Sequence, residues 1–301
     1  MEGGSPTQKA GVRERERDGV PWLEVAGDGW RVVFSTREGG VSTGHRASLN
    51  LGYSVGDDPE AVAENRRRFT RAVGVGGADL VVPGQVHGTH IAVVGPDERG
   101  RGASDRGTVI HDTDALMTDQ PGVPLVVTFA DCVPVLVVGR HHRRRTRIAL
   151  VHAGWRGMLA GIVHKAALMV SAHEAAETAA REGDLVAAVI GPSIGPCCFT
   201  VDRGVGEKFA HTFPGTYAPA HGGGEDRRGR PTPSGRVDLW LAAERQLTAA
   251  GLEPSHIVNL RLCTSCDPRF YSHRRDEGLT GRQAAIAWIE GERAREGRTR
   301  G

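Results

Sequence analysis

Short apolar runs alternate with helical stripes along most of this chain. Trp30-Arg31-Val32-Val33-Phe34-Ser35 reads as a first strand, and further strands are expected at 80–82, 91–94, 125–129, 133–138, 148–151, 185–190 and 257–262. The runs at 125–129 and 133–138 are apolar on both parities, as for strands covered on both faces. A helix is expected from Asp58-Pro59-Glu60. Asp58 suits the cap, Pro59 the first helical position and Glu60 the positive end of the dipole, while Val62, Phe69 and Val73 recur on one face. A second helix over 154–173 carries the stripe Leu159, Ile162, Val163, Ala166 and Val170, and a third begins at Asp238 with Leu239, Ala242, Ala243, Leu247 and Ala250. A final helix is expected near Thr280. This order of elements predicts an α/β protein in one globular unit, with both hairpin and crossover connections.

The flanks differ in composition. Residues 1–27, rich in charge and glycine, read as a disordered tail, 28–292 as the folded domain and 293–301 as a second tail, with an exposed Gly/Pro-rich insertion at 215–235. Over 301 residues, 39% are hydrophobic and 25% charged, enough for a large core. The formal charge is +2, which gives no general attraction to nucleic acid or membrane; Arg140-His141-His142-Arg143-Arg144-Arg145 is the one short basic run. With no export signal and no long apolar span, a cytoplasmic protein is expected. Five cysteines, an odd number, argue against a disulfide framework and leave metal binding or thiol chemistry open.

Three polar segments interrupt apolar surroundings: Gly84-Gln85-Val86-His87-Gly88, Phe129-Ala130-Asp131-Cys132-Val133-Pro134 and Val151-His152-Ala153-Gly154-Trp155-Arg156-Gly157. Strand ends are where α/β folds place ligands. Two imidazoles and one thiolate, His87, Cys132 and His152, suit zinc with a fourth position open, although each alone reads equally as a packed core residue. Their spacing matches no compact zinc motif, so the residues by themselves leave both readings standing. Cys263-Thr264-Ser265-Cys266 lacks a second CxxC or Cys-His partner and reads as two free thiols rather than a second metal site. Gly191–Gly195, at a strand end, could present N–H groups to an anion or simply permit the turn.

The same segments, with Ser48-Leu49-Asn50-Leu51-Gly52, Glu64-Asn65-Arg66-Arg67, Asp114-Ala115-Leu116, Ile190-Gly191-Pro192-Ser193-Ile194-Gly195 and Ser272-His273-Arg274-Arg275, resemble the YfiH-like, laccase-domain family. The resemblance runs from about residue 30 to 290, and His-Ala-Gly-Trp-Arg-Gly with Ala-Asp-Cys is its most specific part. It implies a layered α/β domain with mixed sheets flanked by helices. It also implies zinc on His87, Cys132 and His152, with copper as the alternative. The implied activity is phosphorolysis of purine nucleosides, including methylthioadenosine, by inorganic phosphate, with adenosine deamination in the same pocket. Phe129 stands where many relatives carry a small polar residue, which would alter the pocket wall.

In that frame Ser48, Asn50 and Arg66 are expected to hold phosphate or ribose, and His273 and Arg274 to close over the substrate. Asp131 is a candidate proton carrier or orienting group beside His87, Cys132 and His152. Trp155 is expected to pack rather than stack on a base. The expected assembly is a monomer or weak homodimer without nucleic acid or membrane partners. The rivals are a copper polyphenol oxidase, a metal-free cysteine hydrolase with Cys132 as nucleophile, and a non-enzymatic peptidoglycan-editing factor.

Overall fold

The computed structural model describes residues 11–140, 145–172, 184–220 and 234–291. The middle of the basic run, most of the 215–235 insertion and the last ten residues lie outside them. In chain order the elements are β1 (Arg13–Arg17), β2 (Val20–Gly27), β3 (Trp30–Ser35), α1 (Pro59–Val73), β4 (Ile91–Val93), β5 (Ala115–Thr118), β6 (Leu125–Phe129), β7 (Val133–Arg140) and β8 (Thr146–Ala153). They continue with α2 (Trp155–Leu159), α3 (Ile162–Ser171), β9 (Asp184–Ile190), β10 (Thr200–Val201), α4 (Arg203–Thr212), β11 (Tyr217–Pro219), β12 (Gly235–Val237), α5 (Leu239–Ala249), β13 (Ile257–Asn259) and β14 (Gln283–Ile289).

These strands form an antiparallel sheet β1-β2-β3-β14-β6, a mixed sheet β13-β9-β7-β8-β5-β4 and a small sheet β10-β12-β11. The two large sheets face one another. Val32 and Phe34 of β3, Leu125 and Val127 of β6 and Ala285 and Ala287 of β14 meet Leu136, Val138, Ile148 and Leu150 of the mixed sheet. The alternate residues of the mixed sheet, among them Val135, Val137, Ala149 and Val151, pack on α2, α3 and α5. The alternate residues Val33, Val126 and Ile286 pack under Phe69 of α1. Four layers result: helix, sheet, sheet, helices. Both parities of the central strands are therefore apolar, as the runs at 125–129 and 133–138 predict. Gly191 lies so close to the Phe34 ring that any side chain there would collide with it.

The expected α/β architecture holds, with differences at particular elements. Asp58 caps α1 through its side chain onto Glu60 N at 3.0 Å, and Gly74 ends it at φ 77°. The helix expected over 154–173 is two helices, α2 and α3, parted at Gly161 with φ 81°. Residues 80–82 make single bridges rather than a strand. The disordered reading of 1–27 is corrected for 13–27, which forms β1 and β2. The charges of Arg13–Arg17 occupy an exposed edge strand, whereas Val20, Trp22, Leu23 and Val25 are buried against the sheet. The final helix is also corrected: Gln283–Ile289 is a central strand between β3 and β6. An Ala-rich apolar run carries no period that separates a buried helix from a strand covered on both faces. Within the insertion, β11 and β12 pair with each other.

Truncation tests the N-terminal correction. Among the described residues, deleting 1–17 removes an exposed edge strand and its surface ion pairs, and should lower stability by about 1 kcal/mol or less. Deleting 1–27 removes four buried side chains worth roughly 1.5–3 kcal/mol each and should abolish soluble, cooperatively melting protein. Circular dichroism melts of the two truncations separate these outcomes.

Candidate metal centre and cavity

His87 lies in the loop before β4, Cys132 in the tight turn between β6 and β7, and His152 one residue before the end of β8. Distant in sequence, they converge: their ligand atoms all lie within 4.8 Å of one another. The two imidazole rings meet edge to face, centroids 5.0 Å apart at 73°. Both His87 (φ 63°) and Asp131 (φ 86°) hold left-handed backbone, a sparsely populated conformation for residues with a side chain and one that clusters at functional sites.

A fully buried carboxylate, Asp114, organises two of the three groups. Its Oδ1 accepts from His152 Nδ1 at 2.9 Å and from His87 N at 2.9 Å, and its Oδ2 accepts from Gly88 N at 2.7 Å and Val86 N at 3.2 Å. With Nδ1 donating to Asp114, His152 presents Nε2 as the free electron pair, the arrangement that carboxylate-buttressed metal ligands use. Burial alone would raise the Asp114 pKa. The hydrogen bonds from His152, Gly88 and His87 outweigh it and hold the carboxyl below its ordinary range.

The thiol is biased in the same direction. Burial would push Cys132 up, but the positive charge of His152 and hydrogen bonds from His152 and His87 bring it down to about 6. Burial opposes the charge on His152, yet Cys132 and Asp114 raise it to about 9. The site thus favours a thiolate and needs a positive charge beside it, which either imidazolium or a cation supplies. The donor set fits a soft or borderline metal. Room for it depends on Gly154, where an added Cβ would stand 2.6 Å from His87 Cδ2 and 3.3 Å from Cys132 Sγ.

These groups line a cavity of about 680 Å³, a size suited to a small-molecule ligand. Arg66, Asp131, His273 and Arg274 also line it, together with Arg106, His111, Arg156 and Arg282, which sequence reasoning did not single out. Phe129 is part of its wall, and Trp155 packs its flank on the helical core while its indole carries the Arg156 guanidinium at 4.3 Å.

Ser48 and Asn50 are not among the residues that line this cavity. Ser48 Oγ donates to Arg37 O at 2.9 Å, while the buried Asn50 side chain bonds Asp57 and the backbone of Gly52 and Arg282. Their polarity braces a loop that Asn65 of α1 fastens from the other side, through Val41 N and Asn50 O. Arg66 is in part such a brace: Nε and Nη1 donate to the carbonyls of Leu51, Gly102 and Ala103. Asp131 accepts at both oxygens, from Thr264 Oγ1 at 2.7 Å and from Arg274 N at 2.6 Å. Arg274 Nη1 clasps Thr200 O at 2.8 Å, whereas the His273 ring makes no hydrogen bond among the described residues. Asp114 was legible only as part of the Asp114-Ala115-Leu116 segment of the family resemblance. Arg282 precedes the run misread as a helix.

The layered α/β scaffold carries, at a sheet end, a His-Cys-His group that could hold a metal ion. The chain belongs to the multi-copper polyphenol oxidoreductase laccase family, the YfiH-like proteins, whose model matches residues 31–290. It is 41% identical over 256 residues to the purine nucleoside phosphorylase YlmD of Geobacillus stearothermophilus, covering 84% of this chain and 88% of that one. It is 36% identical over 260 residues to the purine nucleoside phosphorylase Rv2149c of Mycobacterium tuberculosis, covering 86% and 92%. The crystal structure of Geobacillus stearothermophilus YlmD superposes with a TM-score of 0.77 at 35% identity, over 95% of this chain and all of that one. The hypothetical protein YfiH of Bacillus licheniformis superposes with a TM-score of 0.75 at 30% identity, over 92% and 99%.

Two substitutions test the centre. Asp114→Asn should weaken metal affinity by roughly 10–100-fold, since it leaves the ligands in place and removes the charge that orients them. Gly154→Ala should displace the His87 ring at a cost of roughly 1–3 kcal/mol and lower metal affinity tenfold or more. Competition titration with a chromogenic chelator measures both; unchanged affinity in the pair would overturn this assignment of roles.

Proposed function

We propose that this protein is a zinc-dependent purine nucleoside phosphorylase, which cleaves purine nucleosides with inorganic phosphate and deaminates adenosine in the same pocket. The observation that carries the proposal is the convergence of His87, Cys132 and His152 on a nucleoside-sized cavity walled by arginines. The names of the relatives support it.

His87, Cys132 and His152, all on the cavity lining, would hold the zinc. When bound, the ion supplies Lewis acidity and lowers the pKa of water. The donor set favours zinc over a multicopper centre, because among the described residues no second group of metal-ligating side chains contains a histidine.

Arg66 and Arg282 carry the phosphate half of the reading. The hydrogen-bond partners of Arg66 are all carbonyls, its guanidinium lies over the Tyr53 ring at 4.4 Å, its Nη2 makes no hydrogen bond among the described residues, and burial presses its pKa down to about 10. A buried guanidinium without a carboxylate partner gains most from an anion placed beside it. Arg282 lines the same cavity, and burial lowers its pKa too. Phosphate held there attacks the anomeric carbon of the ribose; the bond from that carbon to the purine nitrogen breaks, and its electron pair stays with the base. His273, with an unengaged ring on the cavity wall, delivers the proton that the departing purine requires. In deamination, water adds to the purine C6 and ammonia leaves.

Purified, metal-quantified protein incubated with inosine, adenosine and methylthioadenosine should yield free base and ribose 1-phosphate (or its methylthio analogue) only when phosphate is present. Chelation or His87→Ala should abolish the reaction, and Arg282→Ala should raise the KM for phosphate by about 10–100-fold, the loss of one or two charge-assisted hydrogen bonds. Base released equally well without phosphate, or stoichiometric copper with phenol oxidation, would falsify the reading.

A further inference from the structure

Cys263 and Cys266, read from sequence as two free thiols, do not stand alone. Cys197 and Cys198, more than sixty residues away, bring their sulfurs to the same point, and the four Sγ atoms all lie within 4.8 Å of one another. Cys198 Sγ is 3.3 Å and Cys197 Sγ 3.6 Å from Cys266 Sγ. Four thiolates around one zinc at Zn–S of about 2.3 Å require mutual spacings of about 3.8 Å, a few tenths of an ångström beyond the two separations at Cys266. We propose that Cys197, Cys198, Cys263 and Cys266 form a second metal site, a structural tetrathiolate centre for zinc, separate from the His87–Cys132–His152 group.

The surrounding backbone has the form such a centre needs. Each cysteine pair sits in a tight turn: Cys198 N and Phe199 N donate to Gly195 O, and Cys266 N and Asp267 N donate to Cys263 O. The turns are tied together, with Ser193 N on Leu262 O and Thr264 N on Ser193 O, both at 3.1 Å. Gly195 N donates to the buried Cys263 Sγ at 3.2 Å, and the N–H groups of Ser265 and Cys266 reach the same sulfur. Such donors stabilise a thiolate and have little use for a neutral thiol.

Compensating charge is in place as well. Four thiolates and one zinc carry two net negative charges. Arg274 Nη1 holds Cys198 O at 3.3 Å and Thr200 O at 2.8 Å, and Arg275 Nη1 holds Thr264 O at 2.8 Å, so one guanidinium sits on each turn. Metal uptake involves no redox step: four S–H protons pass to solvent as four Zn–S bonds form.

The site's task is mechanical. Ile194 and Phe199, on the first turn, line the large cavity, and Thr264, on the second, donates to Asp131 beside Cys132. A metal clasping both turns would fix that wall. The inference does not depend on the enzymatic reading, since it concerns metal count and stability.

The test uses the full chain, expressed with zinc and purified anaerobically. Elemental analysis should find two zinc ions per chain, one retained in His87→Ala and one lost in Cys197→Ser, which replaces the most exposed cluster side of the pair of turns. Should the serine variant not fold, cobalt-reconstituted His87→Ala protein supplies the readout, with the intense near-ultraviolet thiolate-to-cobalt bands of a four-sulfur site. A His87→Ala protein without metal, a cluster found as disulfides by alkylation mass spectrometry, or iron with inorganic sulfide would each overturn the assignment.

Discussion

Everything at the His-Cys-His group hangs on one carboxylate removed from water. Asp114 is wholly buried, and its two oxygens accept four hydrogen bonds, from the His152 ring and from three successive backbone N–H groups at Val86, His87 and Gly88. A buried carboxylate without donors would protonate or destabilise the fold by several kcal/mol. Here its need for donors is what bends the loop around His87. The same charge selects the tautomer of His152. Two ligands from separate parts of the chain are thus aligned by one negative charge, before any metal is considered.

The sheet places that charge. β5 runs antiparallel to β8, pairing Ala115 with Val151, and His152 N donates to Asp114 O at 2.8 Å. His152 continues the parity of Ile148 and Leu150, the face turned toward the other large sheet. Val151 and Ala153 turn toward the helices. A slip of one residue in this pairing would send His152 under α3 and leave Asp114 with an apolar neighbour. Four-layer packing prevents the slip, because both parities of β8 are buried and either exchange would place side chains of the wrong size in the core. Stability of the layers and geometry of the ligands are one constraint.

The sequence disclosed what depends on local pattern. α1 was readable because Asp58, Pro59 and the Val62–Phe69–Val73 stripe each mark one end or one face. The central strands were readable as apolar runs between turns. Residues 13–27 were misread because charge on an exposed edge strand resembles charge on an unfolded tail, and 283–289 because burial on both faces erases the alternation that marks a strand. The ligands themselves stood out as polar residues in apolar settings, with family motifs around them. Ser48 and Asn50 were equally conspicuous, but their hydrogen bonds go to Arg37, Asp57 and nearby backbone, a use no local pattern distinguishes from substrate binding. Asp114 and the four-cysteine cluster were hidden for a common reason: each acts through partners brought together only by the folded topology.

That topology also couples the two cysteine-bearing regions. Asp131 adjoins Cys132 and keeps left-handed backbone at φ 86°, a conformation that persists only where the surroundings over-determine it. The determinants are specific: Asp131 O accepts from Ile194 N at 2.9 Å, Oδ1 from Thr264 Oγ1 and Oδ2 from Arg274 N. Ile194 and Thr264 belong to the segments that carry the four clustered sulfurs, and Arg274 clasps the carbonyl of Cys198. Loosening that cluster would therefore relax the three contacts that hold Asp131, and with them the turn that aims Cys132. Asp114 holds the His152 ring and the His87 backbone, Asp131 holds the turn that carries Cys132, and the geometry of the three side chains is the intersection of these two sets of hydrogen bonds.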